Sequence, residues 1–537
     1  MCIFNSTKKK TNKGNENENE EKLEKVSIPK DIDRVITNLK ETFKDCDDII
    51  FREFNVGQEQ QYRFAIVCID GLSDKMLIDN FVLESLMLCA RELKPNSESV
   101  KSHLFELTKS GALTTTEIKE SDDLNEVITG ILSADTALFL DGYDKAIVIG
   151  TKMWPARGTG EPKSEGVIRG PSDGLVETLR FNTALVRRRI RDSRFKVKQE
   201  QIGVRSKTDI AVMYMDDIVN KDTLQMVFDR LKDIEIDCIL ESGYIEQLIE
   251  DNIFSPFPQI QATERPDTVA GAILEGRIGI IVDNSPFALI VPTTLSSMFQ
   301  SAEDYYQRWI ISSFVRIVRF VAGFLSLSLP ALYIAITSYN PDIIPVRFAL
   351  SIAGSREGVP FPAFIEAIIM EITLEFLREA GVRLPDPLGA TIGIVGGIVI
   401  GQAAVTAKIV SPVMVIIVSI TAISSFIIPN YGINTGLRLV RFLLMIFAAV
   451  MGLYGIMIGF IVILIHLVNL KSFGVPYLAP FVSASSRDFK DSVVRYPLET
   501  FIYRPEFLQI NNKKRMKRMG LQIKYDNPKN SKGGTGK

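Results

Sequence analysis

Histidine is almost missing from this chain of 537 residues: His103 and His466 are the only two. That scarcity argues against a histidine-based metal centre and against a Ser-His-Asp triad. Cysteine is sparse as well. Cys2, Cys46, Cys68, Cys89 and Cys238 are scattered, odd in number and never in a CxxC spacing. The pattern argues against a disulfide framework or a zinc site and fits a reducing compartment. No nucleophile and base recur together, so neither an enzyme nor a cofactor is expected. Neither sign of charge dominates, with 62 Lys+Arg against 64 Asp+Glu, so no basic excess points to nucleic acid. Residues 5–25 lack an apolar core and read as a polar, disordered tail rather than a signal peptide.

Charge is also missing locally. None occurs from Phe320 to Pro341 or from Phe442 to Leu470, and Lys408 is the only charge between Pro387 and Leu437. A hydrocarbon core of about 30 Å needs about 20 apolar residues. Four spans follow: about 316–338, 388–409, 412–429 and 440–468. An even number returns the C-terminus to the side of the N-terminal part. The segment from Lys471 to Lys537, with 14 Lys+Arg against 5 Asp+Glu, fits a cytoplasmic tail. A further span through 359–377 would place it outside.

The charged part before the spans reads as a tandem repeat. Ala65–Asp70 has a counterpart in Ala211–Asp216. Leu138–Gly142 with Ala146–Ile149 is echoed by Ile280–Asn284 with Ala288–Val291. Asp-Gly and Asp-Asn suit tight turns between paired strands, and helix-like stretches, 121–133 and 266–276, precede each pair. The expected architecture is an α+β soluble head of two similar α/β subdomains followed by an α-helical transmembrane domain. The divisions are 1–30 disordered tail, 31–160 first subdomain, 161–194 linker and basic helix, 195–300 second subdomain, 301–480 transmembrane domain and 481–537 basic tail.

Three groups of residues stand out. Arg157, Arg169, Arg187, Arg188 and Arg189 could clamp an anionic ligand or a partner's carboxylates, or pair with acids of the neighbouring subdomain. Gly389, Gly393, Gly397 and Gly401 form a smooth ridge suited to close helix packing in lipid. Within an amphipathic helix over 360–380, Glu371, Glu375 and Glu379 advance by about 40° each, with Glu366 apart from them. In a ring of subunits they would line or gate a cation path; otherwise the helix lies at the membrane interface. Lys513–Arg518 suits anionic lipid.

Several segments resemble the spore germinant receptor A-subunit family. They are Glu165–Pro171, Glu177–Ile190, Ser255–Gln259, Thr263–Asp267, Glu275–Arg277, Pro286–Leu289, Glu303–Tyr306, Val359–Pro362, Arg378–Pro385, Gly401–Val405 and Ser472–Tyr477. Leu175 departs from the pattern, where an aromatic is expected. The resemblance implies a nutrient-sensing subunit of the spore's inner membrane, with head and tail on the core side. It also implies a transporter-like B subunit and a lipoprotein C subunit as partners, and a homo-oligomeric, ion-conducting core. A non-conducting scaffold remains an alternative. So does a sporulation-stage paralogue acting with a dipicolinic acid channel.

Overall fold

Two long hairpins anchor the α/β part. The computed structural model describes residues 25–56, 62–83, 118–153, 160–162, 165–383, 401–482 and 487–516. Strands β1 (Ile49–Val56) and β2 (Tyr62–Ile69) pair antiparallel, as do β6 (Phe195–Ile202) and β7 (Thr208–Met215). To them are added β3 (Ile118–Ser121), β4 (Thr136–Leu140) and β5 (Ala146–Ile149) in the first sheet. The second gains β8 (Gln261–Thr263), β9 (Ile278–Val282) and β10 (Ala288–Val291). The orders are β1-β2-β4-β5-β3 and β6-β7-β9-β10-β8. One connectivity has thus been used twice. The turns after Asp141 and Asp283 place Gly142 at φ 85° and Asn284 at φ 66°, a left-handed conformation those residues tolerate.

Each unit takes its own helices. In the first, α1 (Ile32–Thr42) is capped by Asp31 and buries Ile32, Val35, Ile36 and Leu39, the i, i+3, i+4, i+7 face of an amphipathic helix. Helix α2 (Leu124–Leu132) precedes β4. The second unit comprises 45–48 and 155–537. It includes α3 (Leu179–Arg187), α4 (Lys221–Lys232), α5 (Ser242–Ile249) and α6 (Pro266–Glu275). Its sheet is buried on both faces. Ala211, Met213 and Met215 pack on one side, Ile210, Val212 and Tyr214 on the other. Helix α3 is no linker: Leu179, Leu185 and Val186 complete the first of these cores.

The same unit continues into an apolar bundle of α7 (Trp309–Ser338), α8 (Val346–Ser355), α9 (Ala363–Arg383), α10 (Pro412–Phe426) and α11 (Tyr431–Asn469). Helices α7 and α11 are long and apolar enough to cross a membrane. The span expected over 440–468 is corrected here, because α11 is not one helix. Gly452 sits at φ 61°, ψ −135° and breaks it. Gly436 packs against the Pro256 carbonyl, and His466 bonds Ser255 at 2.9 Å. In a straight helix those two residues would be about 45 Å apart. They meet one loop because the arms, 431–451 and 453–469, fold back on each other. Leu444 lies against Gly459 between them.

Contacts fix the directions of α7, α9, α10 and the arms of α11. Tyr339, at the far end of α7, packs on Gly452 at the hairpin tip. Tyr333 and Glu366 both reach Ser411, so α9 and α10 begin at that far end. The Arg378 guanidinium lies 5.5 Å from the Phe426 ring centre, where both helices near the second subdomain. Residues 471–482 and 487–516 then return to that subdomain: the Ser472 hydroxyl donates to the Gln259 carbonyl, and Leu508 and Ile510 enter the core beneath α6. Through residue 516 the tail is part of the unit. Most of the expected 388–409 span lies outside the described residues.

Candidate functional site

A ladder of ion pairs crosses the bundle. The four glutamates of α9 do not form an uncompensated acidic stripe. Glu366, fully buried, accepts from Arg356 at 2.8 Å and from the Ser411 amide at 3.0 Å. Glu371, 1% exposed, pairs with Arg441 at 2.6 Å, and Arg441 also reaches the Ser425 hydroxyl. Glu375 joins Arg438 at 2.7 Å and Arg378 at 2.8 Å, while Glu379 holds Arg383 at the exposed end. Five arginines thus face four glutamates. Arg438 and Arg441 sit inside an apolar helix because carboxylates on α9 meet them. Burying a charge without such a partner is costly. Even so, Glu371 Oε1 and the Nε atoms of Arg438 and Arg441 have no hydrogen-bond partner among the described residues.

A second network anchors α7 to the α/β part. Asp304 accepts from Arg316 and Arg319 at 2.8 and 2.7 Å, and Arg316 also pairs with Asp491 of the returning tail at 2.7 Å. Arg495 donates to the carbonyls of Asp304 and Gln307. Sequence reading missed this cluster. The one signal was the i, i+3 pair Arg316 and Arg319 at the mouth of a charge-free run.

The arginine group divides. Arg187 is fully buried, bidentate to Asp48 at 2.7 Å through Nε and Nη2, with Nη1 on the Phe195 carbonyl. Its expected role in partner contact is therefore corrected: it is an internal clamp. Its position facing the sheet, beside Leu185 and Val186, turned it inward. Arg189 bonds Asp173 at 2.6 Å. Arg169 and Arg188 are exposed, and Arg157 lies outside the described residues. Of the glycine ridge, Gly401 is buried near Val415, and Gly389, Gly393 and Gly397 lie outside the described residues.

Where α10 meets α11, a cavity of about 410 Å³ opens between Pro429–Gly432 and the second subdomain, lined by Glu165, Glu241 and Glu246. Burial pushes the Glu165 carboxyl up to about 7. Burial, then Glu250 and Glu241, pushes Glu246 up to about 7. The folded state therefore keeps protons that the unfolded chain releases above its ordinary value of 4.5. Folding stability contributed here is present below that value and is lost as pH rises through about 7. The melting temperature of the detergent-solubilised chain is expected to fall from pH 5 to pH 8, and Glu246→Gln should flatten the slope. An unchanged slope in that variant would remove the assignment.

A duplicated antiparallel α/β fold is joined to an apolar bundle whose α7 and α11, among the described residues, have the length and composition of membrane-crossing segments, the class of a two-part protein with a candidate membrane domain. The profile of the Bacillus/Clostridium GerA spore germination proteins matches residues 37–507. Spore germination protein B1 of Bacillus subtilis is 43% identical over 481 residues, covering 89% of this chain and 98% of that protein. The uncharacterized membrane protein YfkQ of the same organism is 41% identical, covering 88% and 92%. The N-terminal domain of the A subunit of the Bacillus megaterium spore germinant receptor GerK3 aligns with a TM-score of 0.39 and 33% identity, over 50% of this chain and 97% of that one. The chain belongs to the GerA family, the A-subunit family of spore germinant receptors.

Proposed function

We propose that the chain is the membrane core of a nutrient-sensing germinant receptor in the inner spore membrane, assembling as a homo-oligomer that conducts ions once nutrient is sensed. Its partners are a transporter-like B subunit and a lipoprotein C subunit, with the exposed Arg169 and Arg188 as contact points and basic tail residues against lipid. On this reading the chain crosses six times, through α7, α9, the expected 388–409 span, α10 and the two arms of α11. The even count keeps the α/β part and the tail together on the core side. A ridge of Gly389, Gly393, Gly397 and Gly401 lets the third crossing pack closely.

The buried ladder carries this reading. Ionisable groups in an apolar bundle are costly and mark ion pathways or relays. Here Glu366, Glu371, Glu375 and Glu379 are the gating element, locked while each holds its arginine and able to face a path when the pairs separate. In sealed vesicles holding the purified oligomer with its partners, nutrient should start a cation flux, and Glu371→Gln and Glu375→Gln should each change it severalfold. Unchanged flux and selectivity in both variants would remove the gating role. The complete pairing of the carboxylates supports a second reading, a non-conducting scaffold for its partners or for a dipicolinic acid channel. That reading predicts no flux from the oligomer under any condition.

A further inference from the structure

Arg277 precedes β9 and is only 6% exposed. The other two buried arginines of the second α/β subdomain each have a carboxylate, Asp48 for Arg187 and Asp267 for Arg265. Arg277 has none within 4.0 Å among the described residues. Its one hydrogen bond there runs from Nη1 to the Pro292 carbonyl at 3.3 Å, and Nε has no partner. A guanidinium has five N–H donors in a planar fork. Taken from water with a single long hydrogen bond, it is costly until an anion completes it.

Arg277 lines a cleft of about 240 Å³ whose walls include Glu275, Tyr305, Tyr306, Leu498 and Arg515. Asp267 also lies there but is occupied by Arg265 and the Tyr306 hydroxyl. Arg515 is 3.7 Å from Glu275, whose carboxyl burial holds above its ordinary value. Two cations and one carboxylate are then left to balance, an excess of positive charge. The volume is below the roughly 300–1,000 Å³ of drug-sized sites, so the ligand is small.

We propose that this cleft binds a small organic carboxylate, with its oxygens on the Arg277 fork and its body against the two tyrosines and Leu498. Arginine matches a planar carboxylate with two parallel hydrogen bonds. The inference goes beyond the receptor reading and needs neither conduction nor a partner subunit.

The test is calorimetric titration of the full chain in detergent with sodium benzoate, inorganic phosphate and benzylammonium. Saturable binding of benzoate is expected, with none of benzylammonium. Arg277→Gln should weaken benzoate about tenfold or more. Gly271→Leu serves as a second variant, because Gly271 lines the cleft and its missing Cβ faces open space. It should abolish binding while leaving every polar group in place. Absence of saturable benzoate binding, preference for phosphate or benzylammonium, or wild-type benzoate affinity in both variants would overturn the proposal.

Discussion

Gly452→Leu is expected to undo the helical hairpin of α11. The backbone at φ 61°, ψ −135° belongs to a region that side chains other than glycine's rarely occupy, at about 1–3 kcal/mol. A Cβ there would lie 2.9 Å from Tyr339, adding an overpacking cost of about 1–3 kcal/mol. Together these come to about 2–6 kcal/mol, which at its upper end reaches the lower bound of an ordinary domain's stability of about 5–15 kcal/mol. The measurement is a disulfide between Leu444→Cys and Gly459→Cys, residues in contact across the hairpin but about 22 Å apart on a straight helix. The bond should form with Gly452 present and fail with leucine there, and the melting temperature in detergent should drop. Efficient cross-linking in the Gly452→Leu background would contradict the hairpin strain.

The second large effect is expected at the Glu371–Arg441 pair. Arg441→Leu leaves a carboxylate that is 1% exposed without its cation, and breaking a buried pair costs about 3–5 kcal/mol. Glu371→Leu strands the arginine in the same way. The double replacement removes both charges and should recover most of the lost melting temperature, since buried pairs exchanged for apolar residues are often neutral. Arg438→Leu should cost less, because Glu375 keeps Arg378 and is 31% exposed. Additive losses in the double variant would show that the two side chains do not act as a pair.

The repeated subdomain was legible because strand period and turn chemistry are local. Asp141-Gly142 and Asp283-Asn284 announce the same turn, and the helices before β4 and β9 fall where the pattern put them. The hairpin was not legible. A glycine inside a charge-free run lowers hydropathy little, so 440–468 read as one span, and it takes the backbone at Gly452 and the contact of Leu444 with Gly459 to reveal two arms. The ladder escaped for a different reason. The spacing of Glu371 and Glu375 showed their shared face, yet Arg438 and Arg441 lie more than sixty residues away, and pairing across that distance leaves no periodic trace. Arg187 misled because a run of arginines looks like solvated surface, whereas the helix period turned one of them toward Asp48.

The return of Leu508 and Ile510 to the core beneath α6 has a consequence for biosynthesis. Ile510 lies where Gly276, at φ 102°, leaves no room for a Cβ, and Asn511 donates to the Ile218 carbonyl at 3.1 Å. The apolar bundle is therefore an insertion within one globular unit, whose two halves are made before and after it. A nascent chain cannot seal that unit until these last contacts leave the ribosome, by which time the whole apolar bundle has already been made.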